Sequence, residues 1–222
     1  MLKRKENKIN PKKNISKKSQ LIVGSLLIII GIGIVGGKLY YNYYFNHKDD
    51  DKIEEFYEQQ EQIEDTTIDE KPSETNSQAS ETNSQSRNNE DYIAVIKIPK
   101  IGLEKGLYKK ESKNNNVDKN IQIIKESSYP DVDGGNFILA GHSGNSRISF
   151  FRKLDKLTRD DEVSIFYNGS EYKYKVVNIY DIQKTGNANI VRNANKSTLT
   201  LITCRHNTDK QIVVICELVG IF

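Results

Sequence analysis

Thr198-Leu199-Thr200-Leu201-Ile202-Thr203-Cys204 alternates β-branched and aliphatic side chains over its whole length and stops on a thiol. Such alternation marks a β-strand laid on a sheet, since apolar positions in a helix recur every three to four residues. About sixty residues upstream, a second apolar run, Phe137-Ile138-Leu139-Ala140, ends in the same way on Gly141-His142. Two predicted strands therefore each carry one reactive side chain at the C-terminal end. A thiol is a strong nucleophile only as thiolate, and an imidazole is the usual neighbour that takes its proton. Cys204 is the candidate nucleophile and His142 the candidate general acid/base.

Working outward, residues 91–222 read as a series of short strands. Strands are expected at 93–98, closed by Pro99, at 101–103 and 106–108, at 120–125, and at 136–140 behind the turn signal Asp133-Gly134-Gly135-Asn136. Residues 162–167 and 172–182 flank Asn168-Gly169, a hairpin signal, and 199–203 and 211–219 complete the set. Phe150, Phe151, Leu154 and Leu157 have the spacing of one short helix. The expected fold class is mainly β: a closed seven- or eight-stranded barrel with one or two short helices.

The rest of the chain has other compositions. Residues 1–20 carry eight Lys/Arg against Glu6 alone, and residues 21–37, LIVGSLLIIIGIGIVGG, carry no charge. With its flank Leu39-Tyr40-Tyr41-Asn42-Tyr43-Tyr44-Phe45, this run has the length and aromatic edge of a spanning helix. A cleaved signal peptide would have a shorter apolar core ending in small residues, and only Gly36-Gly37 resembles such an end. Residues 46–90 hold fourteen Asp/Glu, four Lys/Arg and the twice-repeated hexapeptide SETNSQ. A short helix at 51–64 is conceivable, but this composition buries too little apolar surface to offset chain entropy. The expected organisation is a basic cytoplasmic tail at 1–20 and a transmembrane anchor at 21–45. A disordered acidic linker at 46–90 and the catalytic domain at 91–222 follow, the latter outside the cell.

In such a compartment Cys204 and Cys216 are candidates for a disulfide. Cys216 lies within Ile212-Val213-Val214-Ile215-Cys216-Glu217-Leu218-Val219, however, where a buried, inert thiol is the plainer expectation. No Cys/His spacing suggests a metal, and no cofactor is expected. Residues 91–222 carry 20 Lys/Arg and 15 Asp/Glu without a basic stripe interleaved with aromatics, which gives nucleic-acid binding no support.

Four ordered blocks resemble the sortase family of Gram-positive surface transpeptidases. They are Ile98-Pro99-Lys100-Ile101-Gly102, Gly135 to His142 (GNFILAGH), Phe150-Phe151-x-x-Leu154, and the run from Thr198 to Cys204. The resemblance covers most of residues 92–219. It implies an eight-stranded sortase barrel and cleavage of an LPxTG-like sorting signal through a Cys204 thioester. It also implies transfer of the sorted surface protein to an amine of a peptidoglycan precursor. The loop at 185–197 has no carboxylate that would suggest calcium activation. Neither an Asp-Pro-aromatic lid nor a second membrane span after the barrel is seen. Both absences favour a class A, D or E-like member over a pilin-polymerising one.

The resemblance also implies an arginine at the start of the last strand, and here the sequence departs from it. Gln211 falls at that position within Asp209-Lys210-Gln211-Ile212. Gln211 as a neutral hydrogen-bond donor, Lys210 after a one-residue register change, and Arg205 or Arg192 from a neighbouring loop are all open. Thr203, next to the nucleophile, is a further candidate for supporting substrate. His206 is expected in the solvated turn into the last strand. Beside the transpeptidase, a non-catalytic binding module and a cysteine hydrolase remain as other readings.

Overall fold

The structure, a computed structural model, describes residues 17–66 and 91–222. The basic tail and the SETNSQ repeats lie outside the described residues. The chain divides into two compact units, residues 1–48 and 49–222.

Helix α1 (Lys17–Thr66) contains the apolar run. Among the described residues, Leu21–Tyr41 is long and apolar enough to cross a membrane. Its large apolar side chains, such as Leu27, Ile29 and Ile34, are exposed.

In the second unit, eight strands form where alternation and turn residues place them. They are β1 (Tyr92–Ile98), β2 (Leu103–Tyr108), β3 (Gln122–Ile123), β4 (Asn136–Ala140), β5 (Glu162–Tyr167), β6 (Ser170–Gln183), β7 (Thr198–Cys204) and β8 (Lys210–Ile221). Their order in one sheet is β2-β1-β5-β6-β8-β7-β4-β3. Asn168 and Gly169 turn the β5–β6 hairpin with φ of 49° and 80°, both left-handed as a type I′ turn requires. The sheet curls into a nearly closed barrel. Across the remaining gap between β2 and β3, the Asn120 amide donates to the Gly106 carbonyl at 2.8 Å. The barrel is filled by one cluster that includes Ile96, Leu107, Phe137, Phe151, Leu199 and Val214. The helix expected around Phe150 is a run of turns followed by a 3-10 turn at Leu154–Lys156, with Phe151 and Leu154 as its buried anchors.

The parallel pair β4–β7 is the one on which the site depends. Asn136 pairs with Thr198 and Ala140 with Ile202. The buried Asn136 side-chain oxygen accepts from both Thr198 Oγ1 (3.0 Å) and Thr200 Oγ1 (2.8 Å). A slip of one residue would turn these three polar groups into an apolar interior, so the network fixes the register.

One boundary differs from expectation. Helix α1 continues to Thr66, where the sequence suggests a solvated linker from residue 46. Ile53 and Phe56 are buried against Tyr92 and Val95, with Tyr57, Tyr108 and Phe166 packed around them. Tyr57 meets Phe166 edge-on at 5.1 Å. Asp49 accepts from the Tyr92 hydroxyl and from Lys105 Nζ, the latter at 2.5 Å. Burial pulls the Lys105 ammonium below its usual range, and the Asp49 carboxylate opposes this. Two apolar anchors and a partly buried ion pair thus order a segment whose composition is polar elsewhere.

Phe56→Ala should remove about 3 kcal/mol from this docking. Trypsin is then expected to cut at Lys52 at least about tenfold faster, with the barrel strands still protected. Unchanged digestion would mean that the segment is ordered by something other than this contact.

Candidate active site

Side chains of β7 alternate between two surfaces. Leu199 and Leu201 enter the barrel interior. Ile202 lies on the opposite, outer face in a second cluster with Ile138, Val213 and Ile215. Cys204 continues the Ile202 side of β7, and in the antiparallel β7–β8 ladder it pairs with Gln211. Directly paired residues project to the same face with Cβ atoms about 5 Å apart. Cys204 and Gln211 are both half-buried, and Cys204 is a free thiol.

His142 comes to the same strand ends from the other side. The Gly141 N–H donates to the Ile202 carbonyl at 3.1 Å, extending the parallel ladder one residue beyond β4. His142 therefore leaves β4 beside the last residues of β7. Its carbonyl accepts from Phe151 N at 3.0 Å, which ties it to a core anchor. Gly141 suits that approach, since a Cβ there would meet the Phe151 ring at 3.0 Å and the ring would have to give way. His142 Nε2 lies 3.1 Å from the carboxylate of Asp118, a residue with no expected role.

The other expected site residues are placed as follows. Thr203 is buried on the interior side, and its hydroxyl donates to the Gly141 carbonyl at 2.7 Å. It joins the ends of β4 and β7, and its only proton is already given. Lys210 pairs with Gln183 at the exposed start of β8, one residue off the Cys204–Gln211 pair and so directed to the other face. Arg205 binds Asp181 through Nε (2.9 Å) and Nη2 (2.6 Å). Arg192 Nη1 donates to the carbonyls of Gly134 (3.2 Å), Asn193 and Lys196 (both 3.3 Å). Gly134 and Lys196 precede β4 and β7, so Arg192 sits about 20 Å from Cys204 along the strands. His206 is exposed in the turn after β7, where Asn207 has φ of 56°. Of the candidates, the structure brings together Cys204, His142 and Gln211.

A second, buried apolar cluster lies on the outer face beside this group. Ile138, Ile202, Val213 and Ile215 form it, with Tyr180, Ile182 and Ile190 against them. Residues 184–197 cross one side of it. The Tyr180 hydroxyl holds that segment by donating to the Asn189 carbonyl (2.9 Å) and accepting from Val191 N (2.7 Å).

Cys216 stands apart from this group. It is fully buried in the barrel interior opposite Leu199, and burial pushes its thiol well above the usual range. Cys204 and Cys216 face opposite sides of the sheet, and both are free. Among the described residues, no three His, Cys, Asp or Glu side chains are grouped to hold a metal ion.

Comparison with known proteins agrees with this architecture. Residues 96–219 match the family model of the Sortase domain. The chain is 25% identical over 201 residues to sortase A of Bacillus anthracis, covering 90% of this chain and 94% of that protein. It is 27% identical over 110 residues to sortase D of Bacillus subtilis (strain 168), covering 50% of this chain and 52% of that one. Among solved structures, a Clostridium perfringens sortase D5 transpeptidase superposes with a TM-score of 0.55 at 24% identity, over 78% of this chain and 98% of that chain. With the family model matching more than half of its length and the barrel presenting free Cys204 at the strand end, the chain belongs to the sortase family, a family of transpeptidases.

Proposed function

We propose that the chain is a membrane-anchored cysteine transpeptidase that cleaves an LPxTG-like sorting signal and passes the sorted protein to a cell-wall amine. The observation that carries this reading is the meeting of Cys204, His142 and Gln211 at the ends of β7, β4 and β8. The Cys204 thiolate attacks the scissile carbonyl, forming the C–S bond. The oxyanion that develops takes a hydrogen bond from the Gln211 amide. As the C–N bond breaks, the His142 imidazolium protonates the departing amine and a thioester remains. An acceptor amine then attacks the thioester, loses a proton to His142 and releases the Cys204 thiolate. Helix 21–45 anchors the enzyme with the basic residues 1–20 inside the cell and the barrel outside. Sorting-signal proteins and a peptidoglycan precursor are the partners of this reading.

Intact-mass spectrometry of the detergent-solubilised chain with LPxTG-like peptides tests it. An adduct on Cys204 equal in mass to the N-terminal peptide fragment is expected, discharged to an amide by added glycine peptides. Discharge to the free acid alone would make the protein a hydrolase. Signal binding without an adduct would make it a binding module.

A further inference from the structure

Asp118 reaches the site from the connection between β2 and β3, a polar stretch that the barrel holds tightly. Asn115 spans it, accepting from Ile123 N (2.7 Å) and donating to the Ile123 carbonyl (2.9 Å). Asn120 fastens its far end to Gly106. Between them, the Asn116 side chain accepts from Asp118 N at 2.9 Å, and its carbonyl accepts from Lys119 N and Asn120 N at 2.9 and 2.8 Å. The Asp118 backbone is therefore fixed although its carboxylate is exposed. The His142 backbone is held as well, by Phe151 N on its own carbonyl and, one residue before, by the Gly141 N–H on the Ile202 carbonyl. The hydrogen bond at 3.1 Å between Asp118 Oδ1 and His142 Nε2 is thus made between two held segments.

We propose that Asp118 is a positioning residue that keeps His142 in the Nε2–H tautomer, so that Nδ1 is the nitrogen that exchanges protons with Cys204 and with the departing amine. The proposal rests on the transpeptidase reading for its catalytic consequence. An ionised carboxylate can only accept, so Nε2 must be the donor in this pair. In the neutral ring the lone pair is then on Nδ1. When the ring is charged, both nitrogens donate and the same bond to Asp118 persists, so the ring does not have to turn between its two roles. Exposed ion pairs add little to stability, and this one acts on the orientation of a ring rather than on the fold.

The test uses the full chain in detergent, ring-15N-labelled on histidine, with the His142→Gln spectrum identifying the His142 signals among those of three histidines. Asp118→Ala is expected to lower kcat about tenfold while the KM for the peptide stays within about twofold. Its melting temperature should stay within about 1 °C. The His142 ring nitrogens should lose the Nε2–H pattern and move toward tautomer-averaged positions. Asp118→Asn keeps an acceptor oxygen at the same place and should recover most of both signals. Unchanged ring shifts together with unchanged kcat in Asp118→Ala would overturn the proposal. Failure of the wild type to form a thioester would count against the transpeptidase reading instead, while the ring shifts would still report on the Asp118 contact.

Discussion

Cys204→Ala is expected to abolish the acyl adduct and to reduce transfer by about 10⁴-fold or more, whereas Cys216→Ala leaves both unchanged. The two thiols share a hairpin but not an environment. Cys204 stands half-exposed at the end of β7 on the outer face, level with Gln211. Cys216 is enclosed with Leu199 in the barrel interior, where burial keeps its thiol protonated. A protonated, enclosed sulfur meets neither substrate nor base. Cys216→Ala removes one buried sulfur and should cost only about 1–2 kcal/mol of stability through the small cavity it leaves. A thiol-selective alkylating reagent gives the complementary measurement. The native protein should take up one equivalent, at Cys204, and the second only after denaturation. Adduct formation by Cys204→Ala, or its loss in a folded Cys216→Ala, would reverse the assignment of the nucleophile.

Much of the barrel was legible because its strands carry their own period and their own punctuation. Asn168-Gly169 announced the β5–β6 hairpin, and its two positive φ values are what that dipeptide accommodates. In β7 the alternation was visible, yet it understated burial, since both faces of the strand are covered. Thr198 and Thr200 look like solvent positions until Asn136 supplies an acceptor for both hydroxyls. That partner lies in another strand, and no local pattern reveals it. The order of residues 49–60 was illegible for the same reason. Ile53 and Phe56 are sparse apolar residues in an acidic stretch, and they become a docking face only once Tyr92 and Val95 are alongside.

The site divides in the same way. Cys204 and His142 stand out in the sequence because each ends an apolar run, a one-dimensional signal. The contact of Asp118 with His142 has no such signal, because its run, Lys113-Asn114-Asn115-Asn116-Val117-Asp118, reads as an ordinary polar loop. Only the asparagine side-chain bonds to the barrel give that loop a shape. A positive charge near residue 211 could not be weighed from spacing at all, because Arg205 is the nearest arginine in sequence. In space it is occupied by Asp181, on the interior side of the strand. The placement of Thr203 is likewise set by a partner at the end of another strand. Adjacency to the nucleophile placed it near the chemistry, but strand alternation turns its hydroxyl away, toward Gly141.

Gln211→Ala should slow acylation of Cys204 by about 100-fold with little change in peptide KM, since the lost hydrogen bond matters most when the carbonyl oxygen gains charge. The size of this effect follows from where the three other cations weighed for this role stand. Arg205 is bound to Asp181, Arg192 lies at the opposite end of β7, and Lys210 starts β8 on the other face. Gln211→Glu should be at least as damaging, because a carboxylate would repel the developing oxyanion. Gln211→Arg is expected to act in the other direction, raising the rate about three- to tenfold, since a charge-assisted donor is roughly twice as strong as a neutral one. The residue is half-buried at a strand end, so all three variants should melt close to the wild type, and pre-steady-state acylation read by intact mass separates them. Retention of acylation within threefold in Gln211→Ala would show that the oxyanion is held elsewhere, with the backbone N–H groups after Cys204 the next place to look. A gain in Gln211→Arg without a loss in Gln211→Ala would have a different meaning: the site accommodates the family's arginine, but this chain stabilises its oxyanion without residue 211.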